Sequence, residues 1–210
     1  MKNGFVLFLG IFLTLALSWL VLPMTNHIGY GDLDPHADDI TGREYPGSLA
    51  GVAQRGMRVY AELGCDACHS QQERRAGFGA DQERGWGERL SVARDYIHHD
   101  RVMLGHMRTG PDLKNIGDRQ ADKRWHHRHL YDPRSVIEGS TMPPFAFLYD
   151  KKKIVGDRSP DALDIPVEEG YEIVPGKRAR DLVSYLLALK TDHEFDLPEV
   201  LDIKEDSEDE

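Results

Sequence analysis

Cysteine is nearly missing: the 210 residues contain two, Cys65 and Cys68. That excludes a disulfide-stapled secreted scaffold, which needs several pairs. Basic residues are also outnumbered, 26 Lys and Arg against 36 Asp and Glu, for a net charge of −10. The excess sits in one place. Residues 191–210 hold ten acids and one base, which leaves 26 acids and 25 bases, a net of −1, over residues 1–190. A basic surface for nucleic acid is therefore not expected. Internal repeats are absent, and one long stretch near the N-terminus lacks charge altogether. What remains suits one compact domain plus extra segments.

No Asp, Glu, Lys or Arg occurs between Lys2 and Asp32, and Gly4–Pro23 is almost wholly apolar. About 20 such residues at ~1.5 Å rise cross a ~30 Å hydrocarbon core. A cleaved signal peptide would have a shorter apolar run and a small-x-small site, which Leu22-Pro23-Met24-Thr25 matches poorly. A buried core helix would show faces of differing polarity. Residues 1–24 are thus expected to be an uncleaved anchor in contact with membrane lipid. Lys2 precedes the span and keeps the N-terminus cytoplasmic, which sends the rest of the chain across the membrane. Trp19, near the far end, suits the interface.

Both cysteines lie in Gly64-Cys65-Asp66-Ala67-Cys68-His69-Ser70. Cys-x-x-Cys-His is the attachment sequence for a c-type haem. Two thiols at this spacing can add to the two vinyl groups of one haem, and the adjacent histidine reaches the iron. A thioredoxin-like pair needs no histidine. A zinc site needs further ligands, for which His126, His127 and His129 are available. A disulfide at this spacing would be small and strained. Export favours one covalently bound haem c. An electron carrier also needs a sixth ligand, and a methionine raises the potential. Met24 is at the membrane edge, Met57 leads into the motif, and Met103 and Met107 lie in an insert. Met142 precedes Pro143-Pro144, which stiffen its loop. It is the expected ligand; a histidine ligand is the rival, and filling the core is the bland role for Met142.

Residues 25–47 read as a linker. A helix is expected over 48–63, capped by Ser48 and ended by Gly64, with Leu49, Val52, Ala53, Gly56, Tyr60 and Leu63 on one face. The 70–109 insert holds Gly-rich turns and a polar helix candidate over 88–103. A short helix over 123–130 presents the histidine cluster 126–129, read as a solvated face with a metal or proton role as the alternative. Residues 151–172 read as a surface loop or small hairpin. A last helix spans 176–190, with Leu182, Val183, Leu186 and Leu189 as its stripe, and Gly56 would let it approach closely near Tyr185. Residues 191–210 read as an acidic disordered tail. The expected fold class is all-α: one N-terminal transmembrane helix, then a class I cytochrome c-like haem domain with inserts over 48–190.

Arg43-Glu-Tyr-Pro46, Gly56-x-x-x-Tyr60-x-x-x-Gly64-Cys-x-x-Cys-His-Ser-Gln71, Arg108-Thr-Gly-Pro-Asp-Leu113, Gly117-Asp-Arg119, His129-Leu130, Asp132-Pro-Arg134 and Ser140-x-Met-Pro143 follow in order. This set resembles the mono-haem cytochrome c subunit (subunit II) of cbb(3)-type cytochrome c oxidases, from the anchor to about Leu148. The resemblance implies thioether bonds at Cys65 and Cys68, with His69 and Met142 as axial ligands. It implies that the Pro111 carbonyl meets the other nitrogen of His69, and that Arg108 and Arg119 pair with haem propionates. It places the chain in a bacterial inner (cytoplasmic) membrane, single-pass, with the haem domain in the periplasm. The implied partners are a haem–copper catalytic subunit and a di-haem cytochrome subunit; the charge of the acidic tail adds a soluble, basic donor cytochrome as a candidate, with a solubilising role for the tail as the alternative. Oxygen reduction would not occur on this chain, so no catalytic residue is expected. Residues 72–75, 91–100 and the tail depart from the family pattern. The alternatives are the anchored cytochrome of a nitric oxide reductase and a free-standing membrane-bound shuttle. A gas sensor would need an open iron position, which a Met-Pro ligand loop closes.

Overall fold

The computed structural model describes residues 3–31 and 33–190; the acidic stretch over 191–210 lies outside the described residues. The first helix, α1 (Gly4–Tyr30), runs past the expected boundary at residue 24 and takes in the start of the expected linker. Its Gly4–Gly29 stretch is long and apolar enough to cross a membrane. Its large side chains face outward all round, as Phe5 and Trp19 do. Pro23 lies inside the helix, and the Thr25 hydroxyl donates to the Val21 carbonyl one turn back at 2.6 Å. Two short strands follow, β1 (His36–Ala37) and β2 (Glu44–Tyr45), paired antiparallel. Asp38 turns the chain between them by accepting the Ile40 and Thr41 amides, an Asx turn.

Helix α2 (Gly51–Glu62) starts after Ala50 with no side-chain cap, so Ser48 does not cap it. It buries Ala53, Gly56, Met57, Val59 and Tyr60. Val52, expected on that face, is 42% exposed. The C-terminal helix, α5 (Lys177–Ala188), buries Ala179, Leu182, Val183, Tyr185 and Leu186 against α2. The crossing is in backbone contact. A Cβ at Gly56 would lie 2.0 Å from the Asp181 carbonyl oxygen and 2.7 Å from Tyr185 Cβ. Tyr60 and Tyr185 then meet edge-on, 5.6 Å between centroids.

A short helix, α3 (Ile116–Arg119), is tied to the end of α5 by the Gly117 amide on the Leu189 carbonyl at 2.8 Å. Helix α4 (Lys123–Tyr131) is capped by Asp122, whose side chain accepts the Arg124 amide. Its histidines are not a solvated face: His126 and His127 are buried. The His126 Nε2–H donates to the Gln120 carbonyl at 2.7 Å. The Tyr149 hydroxyl donates to the His127 carbonyl, so the His127 Nδ1–H donates to that hydroxyl oxygen. Burial depresses both imidazoles, His127 to about 4.

The regular structure is mainly helical, but the all-α expectation is corrected by β3 (Tyr149–Lys153) and β4 (Tyr171–Pro175), which pair antiparallel. Ile173 and Val174 are β-branched and buried, while Lys151, Lys152 and Lys153 face solvent. The polar helix expected over 88–103 is also absent; one tight turn, Ala93–Tyr96, replaces it. The Asp95 carboxylate takes the Arg89 guanidinium at 2.7 and 3.0 Å and the Val92 amide at 2.9 Å. A side chain that closes a turn in this way competes with helix.

Candidate functional site

Gly64 leaves α2 in the left-handed conformation, φ 69°, and releases the chain into the tight turn Cys65–Ala67. The Cys68 and His69 amides both bond the Cys65 carbonyl. One turn therefore carries both thiols and the histidine. The thiols are free, Cys65 half-buried and Cys68 exposed. Burial, with Asp66 beside it, pushes the Cys65 thiol up to about 12. Among the described residues no three His, Cys, Asp or Glu side chains gather as a metal site, so the zinc reading has no structural support.

The Pro111 carbonyl lies 2.8 Å from His69 Nδ1. A carbonyl only accepts, so Nδ1 carries the proton and Nε2 keeps its lone pair. Burial also depresses the His69 pKa, which favours the neutral ring. The segment 105–113 lies along the motif, with the His106 amide on the Asp66 carbonyl and the Gly110 amide on the Cys68 carbonyl, both at 3.0 Å. It fits because of two glycines. A Cβ at Gly110 would stand 2.3 Å from His69 Cε1, and one at Gly105 2.5 Å from the His69 carbonyl oxygen.

A buried polar network holds this segment. Ser70 Oγ donates to Asp112 at 2.6 Å, and Arg108 Nε donates to Ser70 Oγ at 2.7 Å. The two ends of the Arg108 fork reach Asp81 at 2.6 and 2.7 Å. Asp81 and Asp112 are 0% exposed. Burial works to raise the Asp81 carboxyl, but Arg108 and the Arg74 amide outweigh it and hold the group below its usual range. Trp86 lies beneath the Arg108 guanidinium, 5.4 Å from ring centroid to Cζ.

The two arginines expected at propionates therefore differ. The Arg108 fork is occupied by Asp81, Ser70 and Asp112. Arg119 donates to the Asp112 carbonyl, and its Nε is buried without a protein partner. His129 Nδ1 is buried and unpartnered too, with its ring stacked on Trp125 at 4.7 Å. Burial, and then His69, hold His129 down to about 4. Met142 is half-buried against the core beside Phe145, whose amide bonds the Leu130 carbonyl at the end of α4. Met57 and Met103 are buried in the core, and Met107 is 56% exposed.

Sequence reasoning missed Asp81 and Trp86, and it named His129 only within the histidine cluster and the His129-Leu130 motif, without its stacking on Trp125. The stacked Trp125–His129 pair had a signal, the i, i+4 spacing on a helix. Asp81 had none, since its partner Arg108 lies 27 residues away.

Residues 41–167 match the family of cytochrome c oxidase mono-haem subunits, FixO. No curated protein matches the chain. The matched stretch runs from the turn before β2, through α2, the Cys-x-x-Cys-His turn and α4, to beyond Met142, and covers more than half of the sequence. On that match, the chain belongs to the FixO family, the mono-haem subunits of cytochrome c oxidase.

Proposed function

We propose that the protein is a membrane-anchored c-type cytochrome that passes electrons to the haem–copper catalytic subunit of a cbb(3)-type oxidase. The observation that carries this reading is the His69–Pro111 contact at 2.8 Å, on the same turn as two free thiols. Those residues fit a covalently held haem. Cys65 and Cys68 would hold it by thioether bonds, and His69 Nε2 would face the iron. Bound there, the haem supplies a one-electron iron couple.

The protein's own side chains then divide the work. The Pro111 carbonyl fixes the His69 ring and its tautomer. Gly110 leaves room for that ring. Met142 would offer its sulfur from the loop stiffened by Pro143 and Pro144, while Met57 and Met103 are held in the core. Arg119, with its buried unpartnered Nε, would meet a propionate. Arg108 would act one step back, keeping Ser70 and Asp112 in place. The anchor α1 would hold the domain on the periplasmic face of the inner membrane, beside the catalytic subunit and a di-haem subunit.

Two measurements test this. The denatured protein, matured in a host that attaches c-type haem, should keep its haem and stain for peroxidase activity on a gel. Isolation in mild detergent should bring down a haem–copper subunit. A stain-negative chain would overturn the covalent haem. A stained chain that copurifies with no oxidase subunit would favour the free-standing shuttle.

A further inference from the structure

Away from the haem motif, a cleft of about 540 Å³ opens between the chain that follows β2, the Ala93–Tyr96 turn and the end of α5. Its volume falls within the range of small-molecule sites, ~300–1,000 Å³. Leu49, Val52, Ala53, Leu187 and Leu189 give it apolar walls. Lys114 lines the same cleft and is 6% exposed.

That lysine is unusual. Its ammonium sits 4.3 Å from the Tyr96 ring centroid, and among the described residues no carboxylate forms an ion pair with it. Asp95, at the cleft wall, is engaged by Arg89 at 2.7 Å, and Asp112 by Arg108 at 3.3 Å. Asp95, Glu73 and Asp112 act on Lys114 only through space, against a burial that depresses its pKa. A buried ammonium is costly without an anion, and an aromatic face compensates in part. Its own backbone amide is held by Asp112 Oδ1 at 2.8 Å.

We propose that this cleft binds an amphipathic carboxylate, with its head on the Lys114 ammonium and its hydrocarbon against Leu49, Val52, Leu187 and Leu189. Of the other basic groups on the cleft, Arg89 is held by Asp95 and Lys190 by Asp118, so the Lys114 ammonium beside the apolar walls matches one negative charge on an aliphatic body. A small inorganic anion would leave the walls bare, and a neutral lipid would leave the ammonium unpaired.

The test uses the full haem-loaded chain in a neutral detergent, with octanoate, acetate and 1-octanol as probes. Octanoate should bind in calorimetric titration and raise the melting temperature. Acetate and octanol should bind about tenfold or more weakly, since each lacks one half of the match. Lys114→Met should weaken octanoate binding about tenfold or more while melting no lower than the wild type without ligand. Val52→Trp, at a 42% exposed wall position, should block octanoate with the lysine intact. The haem spectrum reports correct folding of each variant. Equal binding of octanol and octanoate would overturn the proposal, and so would undiminished octanoate binding by Lys114→Met. Should Lys114→Met fail to fold, unchanged octanoate affinity in Val52→Trp would overturn it.

Discussion

Where α2 crosses α5, two regular helices bury Tyr60, Leu182, Val183 and Tyr185 against one another. Between Gly64 and Lys114 the chain has almost no regular structure, yet it buries Gln71, Asp81 and Asp112 completely. The first region is held by apolar area, which is non-directional and tolerates small shifts. The second is held by hydrogen bonds and two ion-paired forks, Arg108 on Asp81 and Arg89 on Asp95, each needing its partner at a set angle. A helix crossing should therefore fail by crowding, and the looped segment by the loss of single polar partners.

The largest effect is expected at the crossing. Gly56→Ala would place a methyl group 2.0 Å from the Asp181 carbonyl oxygen, so α2 and α5 must separate. We expect a loss of about 3 kcal/mol or more, measured by chemical denaturation. A loss under about 1 kcal/mol would mean that the helices slide more easily than close packing implies.

Asp81→Asn probes the other region. It leaves the shape and removes the charge that Arg108 grips, at an expected cost of about 2 kcal/mol at neutral pH. The carboxyl is held below its ordinary 3.8 in the folded state. Its contribution is then complete above about pH 4 and fades as the pH falls through its lower folded value. The gap between wild type and variant should narrow in that acid window. A gap constant from pH 7 to pH 3 would place the stabilisation elsewhere.

Met142→Ala should barely change the helix crossing but should abolish the sulfur–iron charge-transfer band at the red end of the oxidised spectrum. Met107→Ala, at an exposed side chain, should leave the band. Its survival in Met142→Ala would transfer the ligand role to another residue.

The smallest effect concerns charge alone. Truncation after Lys190 removes ten acids and one base. If that charge steers a basic donor cytochrome, reduction should slow at 10 mM salt, where the screening length is about 30 Å, and the difference should vanish at high salt. Equal rates at low salt would leave the tail a solubilising role.

The sequence disclosed the two regions unequally. Helices α2 and α5, and the closeness of Gly56 to Tyr185, followed from apolar spacings of three and four and from one small residue. The turn at Cys65–His69 followed from a motif. Segment 70–109 did not, because its order comes from pairs such as Asp81–Arg108, which lie far apart in sequence and leave no period. The polar helix expected there failed because Asp95 turns its carboxylate onto Arg89 and accepts the Val92 amide. The histidines of α4 were misread as solvated because polarity alone hid that Tyr149 and the Gln120 carbonyl receive His127 and His126. The hairpin was offered only as an alternative to a loop, since seventeen residues separate Lys153 from Tyr171.

The acceptor for His69 Nδ1 is a peptide carbonyl rather than a carboxylate. A carboxylate in that place would gain a proton in acid, near ~4 in its ordinary state, and release the ring. A peptide oxygen has no proton to gain in that range. The imidazole's aim is thus uncoupled from the acidity of the surrounding compartment. If the domain carries electrons outside the inner membrane, as proposed, the orientation of this ring should hold steady without a proton being taken up or shed at its hinge.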